Sequence, residues 1–152
     1  MKTILAPIDF SEVSGKVVSE ASTLARACDG RVVLLTVLQP PVPTMDYSPM
    51  RDSMEEVMAA GEKITAANLE KIAEPLRQDS IPVETVQLNG APITHIVAQA
   101  EKSKADYIVM GSHGHSAVFD LFLGTTSHGV LKRVHCPVVI VPPQAAKMAG
   151  AN

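Results

Sequence analysis

The segment 111–127 holds the residues with the clearest potential for chemistry, because it combines glycines with hydroxyl side chains. Gly111 and Gly114 would let the main chain approach a ligand without a Cβ atom in the way. Gly124 is followed by hydroxyl residues at 125–127, a pattern that predicts the start of a helix with free N–H groups. Since the N-terminus of a helix is a natural site for phosphate, the segment predicts a site for an anionic group.

Positive side chains are absent from this segment, because no Lys or Arg occurs between Gly111 and Leu131. A phosphate there would depend on oriented amides, hydroxyls or a bound divalent cation. The whole chain carries 13 basic and 16 acidic residues, for a net charge of −3, and the basic residues form no cluster. These charges argue against a nucleic-acid partner.

Several other kinds of site fit the sequence less well. The dinucleotide motif GxGxxG is missing after the first strand-like run, and no lysine follows Gly124 as a P-loop requires. A serine nucleophile elbow would need GxSxG, but Ser112 stands one place early. His113, His115 and His128 could supply three nitrogen ligands to a metal, although no carboxylate or cysteine with matching spacing completes the set. The loop could also be a tight connection without a ligand.

Hydrophobic patterning predicts the strands and helices that position this segment. Short apolar runs predict five strands, at 3–8, 31–38, 81–88, 105–110 and 137–142. Helical spacing of apolar residues predicts four helices, at 13–28, 50–76, 92–100 and 125–135. The second strand is apolar almost throughout, which favours the centre of the sheet, whereas the third alternates and should lie nearer an edge. This order predicts an α/β fold with a doubly wound parallel sheet and helices on both faces.

Proline and glycine divide the chain further. Residues 39–49 contain four prolines, so we expect an extended connection that is neither helix nor inner strand. Pro75 should kink or fray the end of the second helix. Asp29 and Gly30 should close the first helix, and Asp9, just after the first strand, could cap its start. We expect one domain over residues 1–143 and a flexible tail at 144–152.

Composition indicates the number of domains and the cellular compartment to expect. With 152 residues, of which 46% are hydrophobic, the chain can form one folded domain with a sizeable core. Cys28 and Cys136 lack CxxC spacing, so two thiols in a reducing compartment are expected. No run approaches 18 apolar residues and no leader pattern follows Met1, so we expect a cytoplasmic protein without a membrane partner.

The spacing Gly111-x2-Gly114-x9-Gly124-Thr125 resembles the G-2x-G-9x-G-[S/T] nucleotide loop of the universal stress protein family, ATP-binding subgroup. The likeness extends over nearly the whole chain in five ordered segments, which are ILAPIDFS at 4–11, LLTV at 34–37, GAP at 90–92, ADYIVMGSHG at 105–114 and CPVVIVP at 136–142. It implies a single five-stranded domain of adenine nucleotide alpha hydrolase-like or flavodoxin-like topology.

The resemblance also implies a ligand site. Its expected members are Pro7, Asp9, Val37, Gly111, His113, Gly114, His115, Gly124, Thr125 and Thr126. Asp9 and Gly111 would lie at the adenosine, and the main chain of Val37 would meet the adenine. Gly114, Gly124, Thr125 and Thr126 would hold the phosphates, often with Mg²⁺ or Mn²⁺. His115 departs from the family, which often has Lys or Arg there, and a histidine is mostly neutral at pH 7.

The expected function is a stress-response or regulatory module that binds ATP, ADP or AMP and uses occupancy to bias its shape or its choice of an unknown protein partner. The family likeness also implies a homodimer through the fifth strand, whose edge is rich in Val and Ile. No general base is evident, so at most weak ATPase activity is expected of a protein that is not a dedicated enzyme. Two alternatives remain open: a dimeric scaffold that needs no nucleotide, and a slow nucleotide phosphohydrolase.

Overall fold

The computed structural model describes residues 1–40, 48–113 and 123–143. Within these ranges strands and helices alternate strictly, in the order β1 (Lys2–Pro7), α1 (Ser14–Ala27), β2 (Gly30–Leu38), α2 (Ser48–Gln78), β3 (Val83–Asn89), α3 (Pro92–Lys102), β4 (Tyr107–Gly111), α4 (Thr125–Leu131) and β5 (Val138–Val141). The strands form one parallel sheet in the order β3-β2-β1-β4-β5. The predicted α/β fold is therefore confirmed.

The strand order creates a point where the chain changes direction. From β1 the chain adds β2 and β3 on one side, and it then crosses to add β4 and β5 on the other. Sheets of this type bind ligands beyond the carboxyl ends of the strands at such a reversal. The prediction that β2 is central was wrong, because β1 takes that place and β2 lies beside it. Both strands are buried, and an apolar pattern alone does not order buried strands.

Helices cover both faces of the sheet, as the sequence predicts. Ile4 and Ala6 of β1 face a core formed with α1 and α2, whereas Leu5 faces a second core formed with α3 and α4. All three side chains are fully buried. Successive residues of a strand point to opposite faces, so β1 contributes to both cores. The central strand is thereby held rigidly between two helical layers.

The ends of two helices differ from the predicted ones. The helix α2 begins at Ser48, so Pro49 lies in its first turn and not in the connection. A proline is tolerated there because the first N–H groups of a helix need no partner within it. The helix also continues beyond Pro75 to Gln78, so it does not fray at the proline. The predicted bounds, 50–76, were therefore too short at both ends.

The fourth helix is shorter than predicted, since it ends at Leu131 rather than near residue 135. The N–H groups of Arg133 and Val134 both donate to the Val130 carbonyl oxygen, at 2.9 and 3.1 Å, in a turn that leads to β5. At the end of α1, Asp29 adopts a left-handed φ of 49°, and Gly30 already begins β2. No helix in the described ranges is both long and apolar enough to cross a membrane. The predicted tail at 144–152 and most of the proline-rich connection lie outside those ranges.

Candidate functional site

A cleft of about 620 Å³ lies beyond the carboxyl ends of β1, β2 and β4. Eight of the ten predicted site residues line it: Pro7, Asp9, Val37, Gly111, His113, Gly124, Thr125 and Thr126. The other two, Gly114 and His115, lie outside the residues that the structure describes. The structure thus brings together every predicted site residue that it describes.

The lining residues occupy the cleft in the order of the strands that carry them. Val37 lies near the end of β2, Asp9 follows β1, and Gly111 ends β4. Gly124 and Thr125 lie beyond β4, where α4 begins. Neighbouring strands are about 4.8 Å apart, so the chemical groups of the cleft form a row across three strands. Main-chain groups stand at one end, a carboxylate in the middle, and hydroxyl and N–H groups at the other end.

The turn after β1 holds the carboxylate of Asp9. Its Oδ1 atom accepts hydrogen bonds from the N–H of Ser11 at 3.0 Å and from the hydroxyl of Ser14 at 3.3 Å. Val13 is the N-cap residue of α1, and it makes no side-chain cap bond. The idea that Asp9 caps α1 was therefore wrong, and its carboxylate instead stabilises the turn that precedes the helix. Phe10, between Asp9 and Ser11, has a φ of 60°.

The same turn is bonded to β2. The N–H of Ile8 donates to the Leu35 carbonyl oxygen at 2.8 Å, and the buried hydroxyl of Thr36 donates to the Ile8 carbonyl oxygen at 2.8 Å. Thr36 also lines the cleft. The position of Asp9 relative to Val37 is thereby set by hydrogen bonds between the two strand ends.

On the other side of the cleft, the start of α4 is bonded to the end of β4. The N–H of Gly124 donates to the Ser112 carbonyl oxygen at 2.7 Å, and the hydroxyl of Ser127 donates to the Gly111 carbonyl oxygen at 2.6 Å. Ser127 is only 3% exposed. The sequence suggested this hydroxyl as a donor to a ligand. In the structure it is used within the protein instead, where it joins α4 to β4.

Two glycines permit this close packing of main chain. A Cβ atom at Gly111 would lie 2.6 Å from Cγ1 of Val13, and one at Gly124 would lie 3.0 Å from the Ser112 carbonyl oxygen. From the sequence, these glycines were expected to permit the close approach of a ligand. The structure gives them a second role, because they also let segments of the chain approach each other.

The described lining carries little charge. Asp9 is its only carboxylate, and it includes no Lys or Arg. The Nδ1 atom of His113 lies 2.9 Å from the hydroxyl oxygen of Ser112. Among the described residues, no three His, Cys, Asp or Glu side chains are grouped as a metal site would require. His113 and His128 therefore form no such group there, and His115 lies outside the described ranges.

An apolar wall and two buried hydroxyls of the cleft were not predicted from the sequence. Pro92, Ile96 and Met110 line the cleft from the side of α3, and Ser14 and Thr36 line it close to Asp9. Ile96 could have been found from the helical periodicity after Gly90, since it lies in the first turns of a helix that starts at this edge of the sheet. Ser14 gives no comparable signal, because its contact with Asp9 depends on the shape of the preceding turn.

Comparisons with known proteins agree with this architecture. The model of the universal stress protein family matches residues 1–142. A curated relative, universal stress protein MJ0531 of Methanocaldococcus jannaschii, is 31% identical over 140 residues, which cover 92% of this chain and 81% of the relative.

Solved structures show the same fold. The structure of protein MJ0577, also from Methanocaldococcus jannaschii, matches with a TM-score of 0.82 and 26% identity. The match covers 95% of this chain and 98% of the MJ0577 chain. A universal stress protein in complex with cAMP has a TM-score of 0.69 and 23% identity, with coverage of 94% and 98%. A universal stress protein from Archaeoglobus fulgidus in complex with dAMP has a TM-score of 0.64 and 21% identity, with coverage of 92% and 97%. Two structural relatives therefore hold adenine nucleotides.

Proposed function

This chain belongs to the universal stress protein family, and we propose that it binds an adenine nucleotide, ATP, ADP or AMP, in the cleft at the carboxyl edge of its sheet. The order of chemical groups across the cleft carries this proposal. Val37, Asp9 and Gly124 stand in a row, with main-chain groups, a carboxylate and phosphate-type donors in succession. A nucleotide has the same three parts in sequence, a base, a sugar and phosphates.

The dimensions support this orientation. The ends of β2 and β4 are separated by β1, so they are roughly 10 Å apart. This span suits a base at Val37 and a phosphate near Gly124, with the sugar at Asp9. Adenine can form hydrogen bonds with main-chain N–H and C=O groups at the end of β2, and apolar side chains such as Ile96 offer its ring a dry surface.

The phosphates belong at the end of the cleft away from Asp9, because a carboxylate repels them. Thr125 and Thr126 offer hydroxyls there, together with the N–H groups of the first turn of α4. With only seven residues, α4 adds little dipole, and no Lys or Arg of the described lining assists it. We therefore propose that Mg²⁺ or Mn²⁺ accompanies a triphosphate and offsets its charge.

Calorimetry tests the proposal directly. ATP, ADP, AMP and cAMP should be titrated into the purified chain with and without Mg²⁺ or Mn²⁺, after mass spectrometry of denatured protein has identified any nucleotide retained from the cell. Saturable heat with at least one adenine nucleotide supports the proposal. A chain that retains no nucleotide and gives no heat would instead support the scaffold alternative. Phosphate release during prolonged incubation with ATP and metal would identify a slow phosphohydrolase.

Nucleotide occupancy is proposed to act through a second copy of the chain and an unknown protein partner. The strand β5 lies at the edge of the sheet and pairs with β4 on one side, and its Val139 side chain is 37% exposed. An apolar edge of this kind can pair with its equivalent in another copy. Light scattering should report a dimer, and Val139→Lys should shift it towards monomer. A monomeric wild type at working concentration would reject this mode of assembly.

The cytoplasm is the proposed location. Cys28 and Cys136 are both free thiols, which is the usual state of cysteines in a reducing compartment. We propose a binding module rather than a dedicated enzyme, with at most weak ATPase activity. Fractionation of cells that express the tagged chain would test the location.

A further inference from the structure

The Asp9 carboxylate is exposed, yet two protein donors hold it. Both the Ser11 N–H and the Ser14 hydroxyl donate to the same oxygen, Oδ1. An exposed aspartate without such bonds samples several rotamers. Ser14 is 5% exposed and opens α1, and its own N–H donates to the Ser11 carbonyl oxygen at 3.0 Å. The orientation of an exposed acceptor is therefore set in part by a buried hydroxyl on a rigid helix.

The main chain of this turn is also constrained. Phe10 has a φ of 60°, a left-handed conformation that bulky side chains rarely adopt. Such conformations persist only where the surroundings hold them, and they are common at functional sites. The Phe10 side chain packs against the core between the sheet, α1 and α2. Packing on one side and hydrogen bonds on the other thus hold Asp9 in one orientation at the cleft.

We propose that Ser14 is a positioning residue that, by orienting the Asp9 carboxylate, makes the cleft select ribonucleotides over 2′-deoxyribonucleotides. This inference rests on the proposed function. Asp9 follows the strand between those that carry the base end and the phosphate end of the cleft, so the sugar is the part of the ligand it would meet. An ionised carboxylate only accepts hydrogen bonds. A ribonucleotide offers it two sugar hydroxyl donors, whereas a 2′-deoxyribonucleotide offers only the 3′-hydroxyl.

The chemistry predicts how large the selectivity should be. A site built to bond a ligand hydroxyl disfavours an analogue that lacks it, because a polar group of the site is left without its partner. A hydrogen bond to a charged group corresponds to roughly a tenfold change in affinity or more. That gain requires a carboxylate already oriented towards the sugar, since a mobile one must first be ordered. Removing the Ser14 hydroxyl should therefore weaken the binding of ribonucleotides more than that of 2′-deoxyribonucleotides.

The test is a comparison of ATP with 2′-deoxy-ATP in wild type and in Ser14→Ala, by calorimetry at one pH and one Mg²⁺ concentration. We expect wild type to bind ATP about tenfold more tightly than 2′-deoxy-ATP. Ser14→Ala should weaken ATP binding several-fold and 2′-deoxy-ATP binding less, so that the ratio of affinities falls towards one. Equal weakening of both ligands would assign Ser14 a purely structural role and overturn the inference.

Matched variants keep the test specific. Ser22→Ala removes another buried hydroxyl of α1, about two turns further along, and should leave both affinities unchanged. Asp9→Asn changes only an exposed side chain and should lower the ratio by itself. Adding Ser14→Ala to Asp9→Asn should then lower it no further, because the two residues act through one interaction. Additive losses in the double variant would contradict the proposal.

The experiment also separates this inference from the proposed function. If wild type binds no adenine nucleotide, the proposed function fails and the inference fails with it. If wild type binds ATP and 2′-deoxy-ATP equally, only the inference is overturned. Ser14→Thr retains a hydroxyl on the same Cβ atom and should retain the selectivity of wild type. A ratio of ATP to 2′-deoxy-ATP affinity as low as that of Ser14→Ala would count against the inference.

Discussion

The two ends of the sheet use polar side chains in opposite ways. At the amino end, Asp106 accepts hydrogen bonds from the Lys2 ammonium at 2.9 Å and from the Thr3 N–H at 2.8 Å. Arg31 there donates to the Thr3 hydroxyl at 3.0 Å and to Glu84 at 3.2 Å. At the carboxyl end, by contrast, polar groups line an open cleft of about 620 Å³.

The difference lies in how charge is balanced. Opposite charges neutralise one another at the amino end, where the pKa of Asp106 is lowered by its hydrogen bond with Lys2. The described lining of the cleft has the Asp9 carboxylate but no Lys or Arg. One end of the sheet therefore stabilises the fold, and the other is the end at which we propose that a ligand binds. Substitutions at the two ends should separate stability from binding.

Gly124→Val should have the largest effect, since it removes the close contact on which the phosphate end depends. A Cβ atom there would lie 3.0 Å from the Ser112 carbonyl oxygen, and the larger valine must displace the start of α4. Loss of two charge-assisted hydrogen bonds would weaken ATP binding roughly a hundredfold. Calorimetry measures the change. Gly61→Val is the matched control, because a Cβ atom at Gly61 meets nothing within 4 Å. Unchanged affinity in Gly124→Val would place the phosphates elsewhere.

Asp106→Ala should have an intermediate effect, and on stability alone. It leaves the Thr3 N–H without its acceptor at a residue that is only 6% exposed, so Tm should fall by a few degrees. Nucleotide affinity should not change, because the substitution lies at the opposite end of the sheet. Thermal denaturation and calorimetry on one preparation test both statements. A loss of affinity would show that the two ends are coupled.

Low pH should remove the stabilisation that the Asp106 carboxylate provides. Because the folded-state pKa of Asp106 is lowered, the unfolded chain takes up this proton first as pH falls. The stability due to the carboxylate is then complete above about pH 4 and is lost below it. Asp106→Asn keeps an acceptor oxygen but cannot titrate. Its Tm should fall less steeply than that of wild type below pH 4, and parallel curves would contradict this assignment.

The smallest expected effect concerns His115. If its imidazole faces the phosphates, ATP should bind a few-fold more tightly at pH 6 than at pH 8, since an unperturbed histidine is mostly protonated only at the lower pH. The terminal phosphate of ATP also titrates in this range, so His115→Gln supplies the baseline. The same comparison with His113→Gln separates the two imidazoles. Equal affinities of wild type at both pH values would refute the role.

The sequence predicted the row of ligand groups better than the supports beneath it. Asp9, Val37 and Gly111 follow or end apolar runs, and parallel strands bring such positions to one edge. The roles of Ser14 and Phe10 depend on a left-handed residue in a tight turn, and a phenylalanine gives no sign of that conformation. The central place predicted for β2 belongs to β1, because periodicity records which faces of an element are buried and not which elements are neighbours.

The hydrogen bonds between the end of β4 and the start of α4 have a consequence for how this chain can be altered. With the Gly124 nitrogen 2.7 Å from the Ser112 oxygen, the stretch between them begins and returns at nearly one point. Lengthening a segment whose ends already meet costs little entropy and need not disturb the flanking elements. An insertion between these two anchors should therefore leave the five strands in register but change the glycine spacing of the proposed phosphate loop, so such a variant would keep its fold while losing its ligand.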